Sequence, residues 1–422
     1  MIGVGRFGDQ PAADKGESTM SMIEELRARA DELAGEMVDV RREIHRRPEL
    51  GLDNPATRDL IERTLAPLGL DVLHSEGTSG LSATLVGGKP GPTVMLRADT
   101  DALPMTEHTE WDHRSEIDGQ AHMCGHDAHV AMLLGAAKML TEVRDELPGT
   151  VRFVFQPGEE GFAGAAVMVE EGALAEGLSR PVDAAFALHV APNVPLGFVA
   201  GRPGAQLAGT DDFYVTVKGK GGHASTPHFG VDPIPVACEM VLALQSLVTR
   251  RVDAFDPAVL TVAHIDSGTT TNVIPPTAFF EGTIRTVSDH TRSVVREGVE
   301  RVLRGIAAAH DCEVDVRIDA GYPVTFNDEA FAGFASGVVE EVLGEHRFYE
   351  MPAPVMGGED FSYFLQKVPG AMFFLGVCPA DIDNFLEAPS CHSNLMRLNE
   401  EALPLGAAIH ASMAWRYLES NV

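Results

Sequence analysis

Apolar residues between positions 23 and 44 recur at steps of three and four, which is the spacing of an amphipathic helix. Beyond this segment, short runs that are apolar throughout alternate with further helical spacings. We expect strands at 81–86, 93–96, 151–155 and 184–190, and helices at 128–140 and 163–171. Because these strands lack a polar face and are interleaved with helices, they indicate an α/β fold whose sheet is covered on both faces.

The pattern changes after Pro203, where apolar and polar residues begin to alternate. The elements predicted from there follow the order strand, helix, strand, strand, helix, strand, at 213–217, 234–248, 259–265, 278–284, 294–308 and 314–318. That order over about 110 residues is typical of a ferredoxin-like α+β arrangement. After Gly321 the chain returns to the first pattern. We therefore expect one domain formed by residues 21–203 and 321–422, with a ferredoxin-like domain, residues 204–320, inserted into it.

The charge of the chain excludes some partners. Its 422 residues include 32 Lys and Arg against 62 Asp and Glu, which gives a formal net charge of −30. A surface this acidic repels the phosphates of nucleic acids and anionic lipid headgroups. No uninterrupted apolar run reaches the roughly 18–20 residues that a transmembrane helix needs. We expect neither a nucleic acid nor a membrane as a partner.

The cysteine content and the N-terminal segment bear on location. The number of cysteines is odd, and the five are widely spaced: Cys124, Cys238, Cys312, Cys378 and Cys391. Such a set does not indicate a disulfide framework and favours a reducing, cytoplasmic location. Residues 1–20 carry no apolar stretch of the kind found in a signal peptide, and we interpret them as a disordered leader.

Residue types that bind metals cluster where predicted strands end, which is where α/β proteins place their sites. Cys124 and His126 lie two positions apart in a turn that opens a helix, with a glycine between them, so both side chains can converge on one ion. Glu159 and Glu160 lie just beyond another strand. Two adjacent carboxylates in a turn point in different directions, so one can bind a metal while the other handles a proton.

Further candidates follow the same pattern, and each also has a purely structural interpretation. His189 ends a strand, His392 lies in a loop near the C-terminus, and Asp99 and Asp101 close a third strand. A Glu pair can be a solvated turn, a buried Cys a small apolar residue, His189 a core histidine, and the two Asp residues turn caps. Cys391 beside His392 could also suggest a nucleophile dyad. The gathering of all these residues at strand ends of one layer favours a metal site.

Eight motifs occur in one order and carry a family resemblance. They are HRRPELG (45–51), RADTDALP (97–104), HMCGHDAH (122–129), QPGEEGFAGA (156–165), ALHV (187–190), GKGGHAS (219–225), TNVIP (271–275) and GGEDFSYF (357–364). In these motifs the chain resembles the M20 metallopeptidases. It is most similar to the amidohydrolase branch that includes hippurate hydrolases, auxin-conjugate hydrolases and N-acetyl-diaminopimelate deacetylases.

The resemblance implies a mixed-sheet catalytic domain with two divalent metal ions. The implied ligands are Cys124, His126, Glu160, His189 and His392. Glu159 would be the general base, and Asp101 matches an acidic residue that supports the site. Asp99 stands where many peptidase members have a histidine ligand, which favours the branch in which a cysteine replaces a bridging carboxylate. Thiolate, imidazole and carboxylate together suit Zn, Mn, Co or Ni better than Mg or Ca.

The resemblance also gives roles to the inserted domain, as a lid and as the contact of a homodimer. His223 would donate a hydrogen bond to the oxyanion from the lid of the partner subunit, and Asn272 would contact substrate. From the residues alone, His223 would be interpreted as a surface-loop histidine. Arg285 ends a lid strand and could meet a substrate carboxylate or form a surface salt bridge.

We therefore expect a cytoplasmic, dimeric, metal-dependent amidohydrolase that cleaves the amide bond of N-acyl amino acids or related small conjugates. An aminoacylase-like carboxypeptidase or dipeptidase is the alternative among enzymes, and it would differ in the acyl pocket. Outside enzymes, the chain could be an inactive protein that binds a conjugate, although Glu159 argues against this because such a protein needs no proton shuttle. A metal-storage protein would carry its ligands dispersed over the surface.

Overall fold

The computed structural model of the protein describes residues 20–421. The predicted leader, residues 1–20, lies outside the described residues except for Met20. The helices are α1 (Met22–Glu32), α2 (Ala34–Arg46), α3 (Pro55–Leu65), α4 (His126–Glu142), α5 (Gly164–Glu170), α6 (Pro233–Arg251), α7 (Asp289–Ala309), α8 (Glu329–Leu343), α9 (Ser362–Leu365) and α10 (Ala402–Ser420). Within residues 20–421, none of them has both the length and the apolar composition that crossing a bilayer requires.

The strands are mostly short, and several lie at sheet edges. In chain order they are β1 (Asp71–His74), β2 (Leu81–Val86), β3 (Lys89–Asp99), β4 (Pro148–Gln156), β5 (Ala184–Ala191), β6 (Val199–Gly201), β7 (Gly204–Leu207), β8 (Gly209–Lys218), β9 (Gly222–His223), β10 (Ala258–Asp266), β11 (Val273–Ile274), β12 (Thr277–Thr286), β13 (Glu313–Ala320), β14 (Thr325–Asn327), β15 (Phe348–Glu350) and β16 (Gly370–Gly376).

The helix predicted over 23–44 is two helices, so that prediction was wrong about its continuity. The break lies at Leu33, whose φ of −85° and ψ of −3° depart from the ψ of about −42° of a regular helix. Gly35 lies two residues further on, in the first turn of α2, and glycine weakens a helix. The apolar spacing continues across the break because both helices bury one face in the same core, with Ile23 in α1 and Met37 in α2.

The larger sheet is mixed and covered on both faces, which confirms the predicted α/β fold. In the part of the chain that the structure describes, it has eight strands in the order β1-β2-β4-β3-β5-β16-β6-β15. Strand β3 runs parallel to both β4 and β5, whereas β2 is antiparallel to β4. Helices α4 and α10 pack in the core on one face, and the short helices α5 and α9 contribute to a second core on the other.

A separate antiparallel sheet is formed by residues between β8 and β13. Its strand order is β10-β12-β8-β13, with α6 and α7 packed against it. Phe213 and Phe280 on the sheet and Leu244 and Leu303 on the helices are buried in a core of their own. Alternation along β8, where Phe213, Val215 and Val217 are buried, follows the two-residue period of a strand with one covered face.

Parallel strands bring the candidate residues together. The carboxyl ends of β4, β3 and β5 are neighbours in the larger sheet, and the loops that follow them therefore meet at one edge. Asp99 is the last residue of β3, Gln156 is the last residue of β4, and His189 lies two residues before the end of β5. Helix α4 begins at His126 near the same edge.

Candidate metal centre

The side chains predicted as metal ligands converge at this edge. Atoms of Cys124, His126 and His189 lie within 4.8 Å of one another, and so do atoms of Cys124, Glu160 and His392. The Cys124 Sγ atom is 3.4 Å from His189 Nε2, and His392 Nε2 is 3.1 Å from Glu160 Oε1. The two triplets share Cys124, so the arrangement offers two adjacent sets of donors.

Unpartnered buried atoms fit these residues to a cation. Both ring nitrogens of His126 are buried without a hydrogen-bond partner in residues 20–421. Leaving such groups unpaired costs roughly 1–3 kcal/mol each. The Nδ1 atom of His189 is 2.7 Å from the carbonyl of Val190 and donates to it, so the lone pair of Nε2 faces Cys124. Thiolate, imidazole and carboxylate donors therefore point into one space, as binding of divalent metals requires.

The backbone around the ligands adopts conformations that few residues tolerate. Gly125 has φ +88°, and a Cβ atom there would lie 2.3 Å from Val190 Cγ2, so only glycine fits between Cys124 and His126. His392 has φ +69°, in the left-handed region, and its N–H is held by the carbonyl of Met123 at 2.7 Å. Such a conformation costs on the order of 1–3 kcal/mol and persists where the surroundings enforce it.

The electrostatic surroundings of Cys124 and His126 also favour a bound cation. The hydrogen bond with the Cys391 thiol, burial and nearby carboxylates raise the pKa of Cys124 well above its usual value. Burial lowers the pKa of His126, but the carboxylates of Asp99 and Asp101 outweigh it and raise that pKa overall. The raised pKa of His126 reports excess negative charge around its ring, and the raised pKa of Cys124 shows that its thiolate is disfavoured in these surroundings. A thiolate at Cys124 therefore needs bound positive charge beside it.

Glu159 lies among other carboxylates. Its side chain is buried, with an oxygen within 4.8 Å of carboxylate oxygens of Glu359 and Asp360. Burial, followed by the charges of Glu359 and Glu160, raises the pKa of Glu159 well above its usual value. Arg97 partly balances the cluster, with Nη2 2.9 Å from Asp360 and 3.1 Å from Glu359. Sequence reasoning missed Glu359 and Asp360, although the GGEDFSYF motif contains both.

The turn that carries Glu159 and Glu160 is anchored on two sides. Asp101 accepts the backbone N–H of Glu159 at 2.9 Å and that of Glu160 at 3.0 Å. The hydroxyl of Tyr322 donates to the carbonyl of Glu159 at 2.5 Å and accepts the N–H of Gly161 at 2.8 Å. Both carboxylate oxygens of Asp101 are thus engaged in holding the turn. Tyr322 was not identified from the sequence.

His129 and Asp99 form a support beneath His126. The N–H of Val190 donates to His129 Nε2 at 2.9 Å, so the proton of His129 is on Nδ1, which donates to Asp99 at 2.5 Å. The other oxygen of Asp99 accepts from Arg97 at 2.5 Å. Both ring nitrogens of His129 have partners, so His129 is not free to bind a metal, and each oxygen of Asp99 already accepts one hydrogen bond.

The three candidates that belong to the inserted segment, residues 204–320, lie at two different places in the structure. Arg285, on β12, lines the same cavity as Glu159, whereas His223 and Asn272 are not among the described residues that line it. His223, on β9, pairs with Val273 on β11. The N–H of Ser225 donates to His223 Nδ1 at 3.1 Å, so neutral His223 carries its proton on Nε2.

Four of the five metal-ligand candidates line a cavity of about 1170 Å³. They are Cys124, Glu160, His189 and His392, and Glu159 lines the same cavity. Much of its wall is aromatic or aliphatic, with contributions from Phe198, Leu207, Phe348, Phe374, Phe385 and Leu386. The site can therefore accommodate a molecule with a large apolar group next to the metal ligands.

Comparison with known proteins agrees with this geometry. Residues 95–416 match the profile of "Peptidase family M20/M25/M40". The IAA-amino acid hydrolase ILR1-like 2 of Arabidopsis thaliana is 42% identical over 398 residues, which is 93% of this chain and 88% of that protein. The N-acetyl-L-cysteine deacetylase of Bacillus subtilis is 36% identical over 416 residues, 98% of this chain and 96% of that one.

A solved structure is similar over nearly the whole chain. The crystal structure of a dinuclear metal-binding peptidase of the M20 family from Bacillus subtilis gives a TM-score of 0.79 at 32% identity, and the match covers 92% of this chain and 99% of that chain. The resemblance expected from the motifs is confirmed. The chain belongs to peptidase family M20/M25/M40 and is an amidohydrolase of that family.

Proposed function

We propose that the protein cleaves the amide bond of N-acyl amino acids whose acyl group is bulky and apolar. The observation that carries this proposal is that Glu159 and four of the five candidate ligands line a largely apolar cavity. An acetyl group would leave most of 1170 Å³ unfilled. Each buried methylene contributes about 0.8 kcal/mol to binding, so a larger acyl group gains most from this wall.

In this proposal Glu159 is the residue that transfers the proton. Its carboxylate is buried, and its raised pKa favours a group that accepts a proton from the attacking water and returns it to the departing nitrogen. Cys124, His126, Glu160, His189 and His392 would hold two divalent ions, Mn, Zn, Co or Ni. When bound, such ions polarise a carbonyl and lower the pKa of a water molecule.

We propose that residues 204–320 form a ferredoxin-like lid that also joins two subunits. Strand β10 lies at the edge of its sheet, and an edge strand can pair with another chain. Ile265 on this strand and Leu242 on α6 are apolar and exposed, which favours contact with a second copy. Arg285 would bind the substrate carboxylate from the lid.

The positions of His223 and Asn272 favour action across the dimer. They adjoin each other through the pairing of β9 with β11, outside the lining of the cavity. His223 of the partner subunit would then supply the hydrogen bond to the oxyanion. The tautomer imposed by Ser225 suits this role because it leaves Nε2–H as the donor.

A cytoplasmic location is part of the proposal. Cys124 has to remain a reduced thiol to bind a metal as its thiolate, and the cytoplasm keeps thiols reduced.

A hydrolysis screen tests the proposed function. Metal-free protein is reloaded with Mn, Zn, Co or Ni and given alanine acylated with groups that increase from acetyl to benzoyl and indoleacetyl, together with dipeptides. We expect metal-dependent hydrolysis in which kcat/KM rises at least tenfold from acetyl to the aromatic acyl groups. A preference for acetyl or for dipeptides would contradict the proposed acyl group. Absence of hydrolysis with every metal would contradict the proposed substrate class.

A further inference from the structure

Tyr322 occupies the junction where the inserted segment rejoins the catalytic domain. The N–H of Gly321 donates to the carbonyl of Thr210 at 2.9 Å, and the N–H of Thr210 donates to the carbonyl of Tyr322 at 2.9 Å. The N–H of Tyr322 in turn donates to Thr210 Oγ1 at 2.9 Å. Thr210 lies at the start of β8, so the strand that enters the inserted segment is bonded to the residues that leave it.

Close packing makes this junction stiff. A Cβ atom on Gly321 would lie 2.3 Å from Thr210 Oγ1, and one on Gly358 would lie 2.5 Å from Thr210 Cγ2. Arg292 of α7 donates to the carbonyls of Thr210 at 3.1 Å and Gly321 at 3.2 Å. A rotation of α7 and β8 as one body therefore moves Thr210 together with the backbone of Tyr322.

The hydroxyl of Tyr322 lies in the turn that carries Glu159 and Glu160. Its hydroxyl donates to the carbonyl of Glu159 and accepts from Gly161 at 2.8 Å and from Ala163 at 3.3 Å. A tyrosine hydroxyl offers one donor and two acceptor positions, so these three bonds use all of them. Burial, with the charges of Asp360 and Glu159, raises the pKa of Tyr322, which keeps the donor proton in place.

We propose that Tyr322 is a positioning residue that transmits the orientation of the inserted segment to the carboxylate of Glu159. Asp101 holds the turn from within the catalytic domain, while Tyr322 holds it from the junction. Movement of the lid then changes the position of the base through the hydroxyl of Tyr322. The inference rests on the proposed function in one respect, which is that Glu159 is the base.

The first test is Tyr322→Phe, which removes the hydroxyl and keeps the ring. We expect kcat to fall at least tenfold with KM within twofold, because a small displacement of a catalytic group lowers the rate without removing contacts to substrate. Tyr363→Phe is the matched control. Its ring packs edge-on against Tyr322 with centroids 6.2 Å apart, and we expect its kcat to stay within twofold of wild type. A kcat of Tyr322→Phe within twofold of wild type would contradict the proposal.

The second test measures the coupling without substrate. Thr210→Val removes the hydroxyl that accepts the N–H of Tyr322 and so loosens the junction. Hydrogen exchange of the peptide containing residues 157–163 reports the amides that Tyr322 holds. We expect Thr210→Val to accelerate this exchange at least threefold in the wild-type background and to add nothing in Tyr322→Phe. The same acceleration in both backgrounds would overturn the coupling.

The two tests separate this inference from the proposed function. If wild type hydrolyses no N-acyl amino acid, the proposed function fails, whereas the exchange measurement still decides whether Tyr322 links the junction to the turn. If Tyr322→Phe does not fold, Thr210→Val alone decides. Faster exchange at 157–163 supports the proposal, and unchanged exchange contradicts it.

Discussion

The Sγ atom of Cys124 lies 3.4 Å from the Nε2 atom of His189. The imidazole is held in this orientation by the bond from its Nδ1 atom to the carbonyl of Val190, so its free lone pair and the sulfur face the same point. Two donors fixed in this way are oriented for an ion before it binds, which raises the affinity of a site.

Cys124→Ala is therefore expected to lower metal affinity at least tenfold, because the substitution removes a donor common to both triplets of ligand atoms. Equilibrium dialysis followed by elemental analysis measures the loss. Cys312→Ala is the control, since Cys312 is also buried but lies in the core of the inserted segment. Unchanged affinity in Cys124→Ala would rule out the cysteine as a ligand.

Asp101→Asn should disturb the turn rather than the ligands. An amide has one acceptor oxygen, so it can accept only one of the two N–H groups, and its NH₂ group faces the other. We expect kcat to fall about 10–100-fold and the free energy of unfolding to fall by roughly 1–3 kcal/mol. Steady-state kinetics and urea unfolding measure the two effects, with the exposed Asp315→Asn as a control. Wild-type values for Asp101→Asn would mean that the turn does not depend on this carboxylate.

Acid should destabilise the protein in part through His410. Burial lowers the pKa of His410 from 6.5 to about 3, so the folded state keeps this residue neutral while the unfolded state takes up a proton below pH 6.5. The stability associated with neutral His410 is thus present above pH 6.5 and is lost as the pH falls toward 3. We expect a slope of about 1.4 kcal/mol per pH unit in this window.

His410→Leu cannot titrate and should reduce the pH dependence of unfolding by that slope. The measurement is urea unfolding at several values between pH 6.5 and 4. The exposed His290→Gln serves as a control. A pH dependence in His410→Leu as steep as that of wild type would contradict the assignment.

Subunit mixing tests whether His223 acts across a dimer. Glu159→Gln and His223→Ala are each expected to be inactive. After subunit exchange at equal amounts, half the dimers are mixed, and in each of these one site combines an intact Glu159 with His223 of the partner subunit. About a quarter of all sites should then recover activity. Background activity after an exchange that is verified with a tag would show that His223 does not act across the dimer.

The site residues at strand ends could be predicted because apolar runs locate the strands and metal-binding residue types lie at the ends of these runs. Glu159 and Glu160 follow an apolar run directly, and His189 lies within one, so their place at a sheet edge follows from the strands. Tyr322 could not be found in this way. It lies 163 residues from Glu159 along the chain, and a single tyrosine after a strand carries no periodic signal.

Other misses have different physical reasons. Helix α3 was not predicted although the sequence indicates it. Leu60, Ile61 and Leu65 have helical spacing, and Pro55 stands in its first turn. Strands β6 and β15 have three residues each, too few for a two-residue alternation to be recognised. The break at Leu33 was missed because apolar spacing records which face is buried and not whether the backbone is continuous.

The most direct test of the account is Glu159→Gln, with kcat and bound metal measured on the same preparation. Glutamine keeps the size of the side chain but cannot accept the proton of the attacking water. Proton transfer by a positioned base contributes about 10²–10⁴-fold, so we expect kcat to fall by at least two orders of magnitude with metal content and KM unchanged. A variant that binds metal normally and retains more than a tenth of the wild-type kcat would contradict the account.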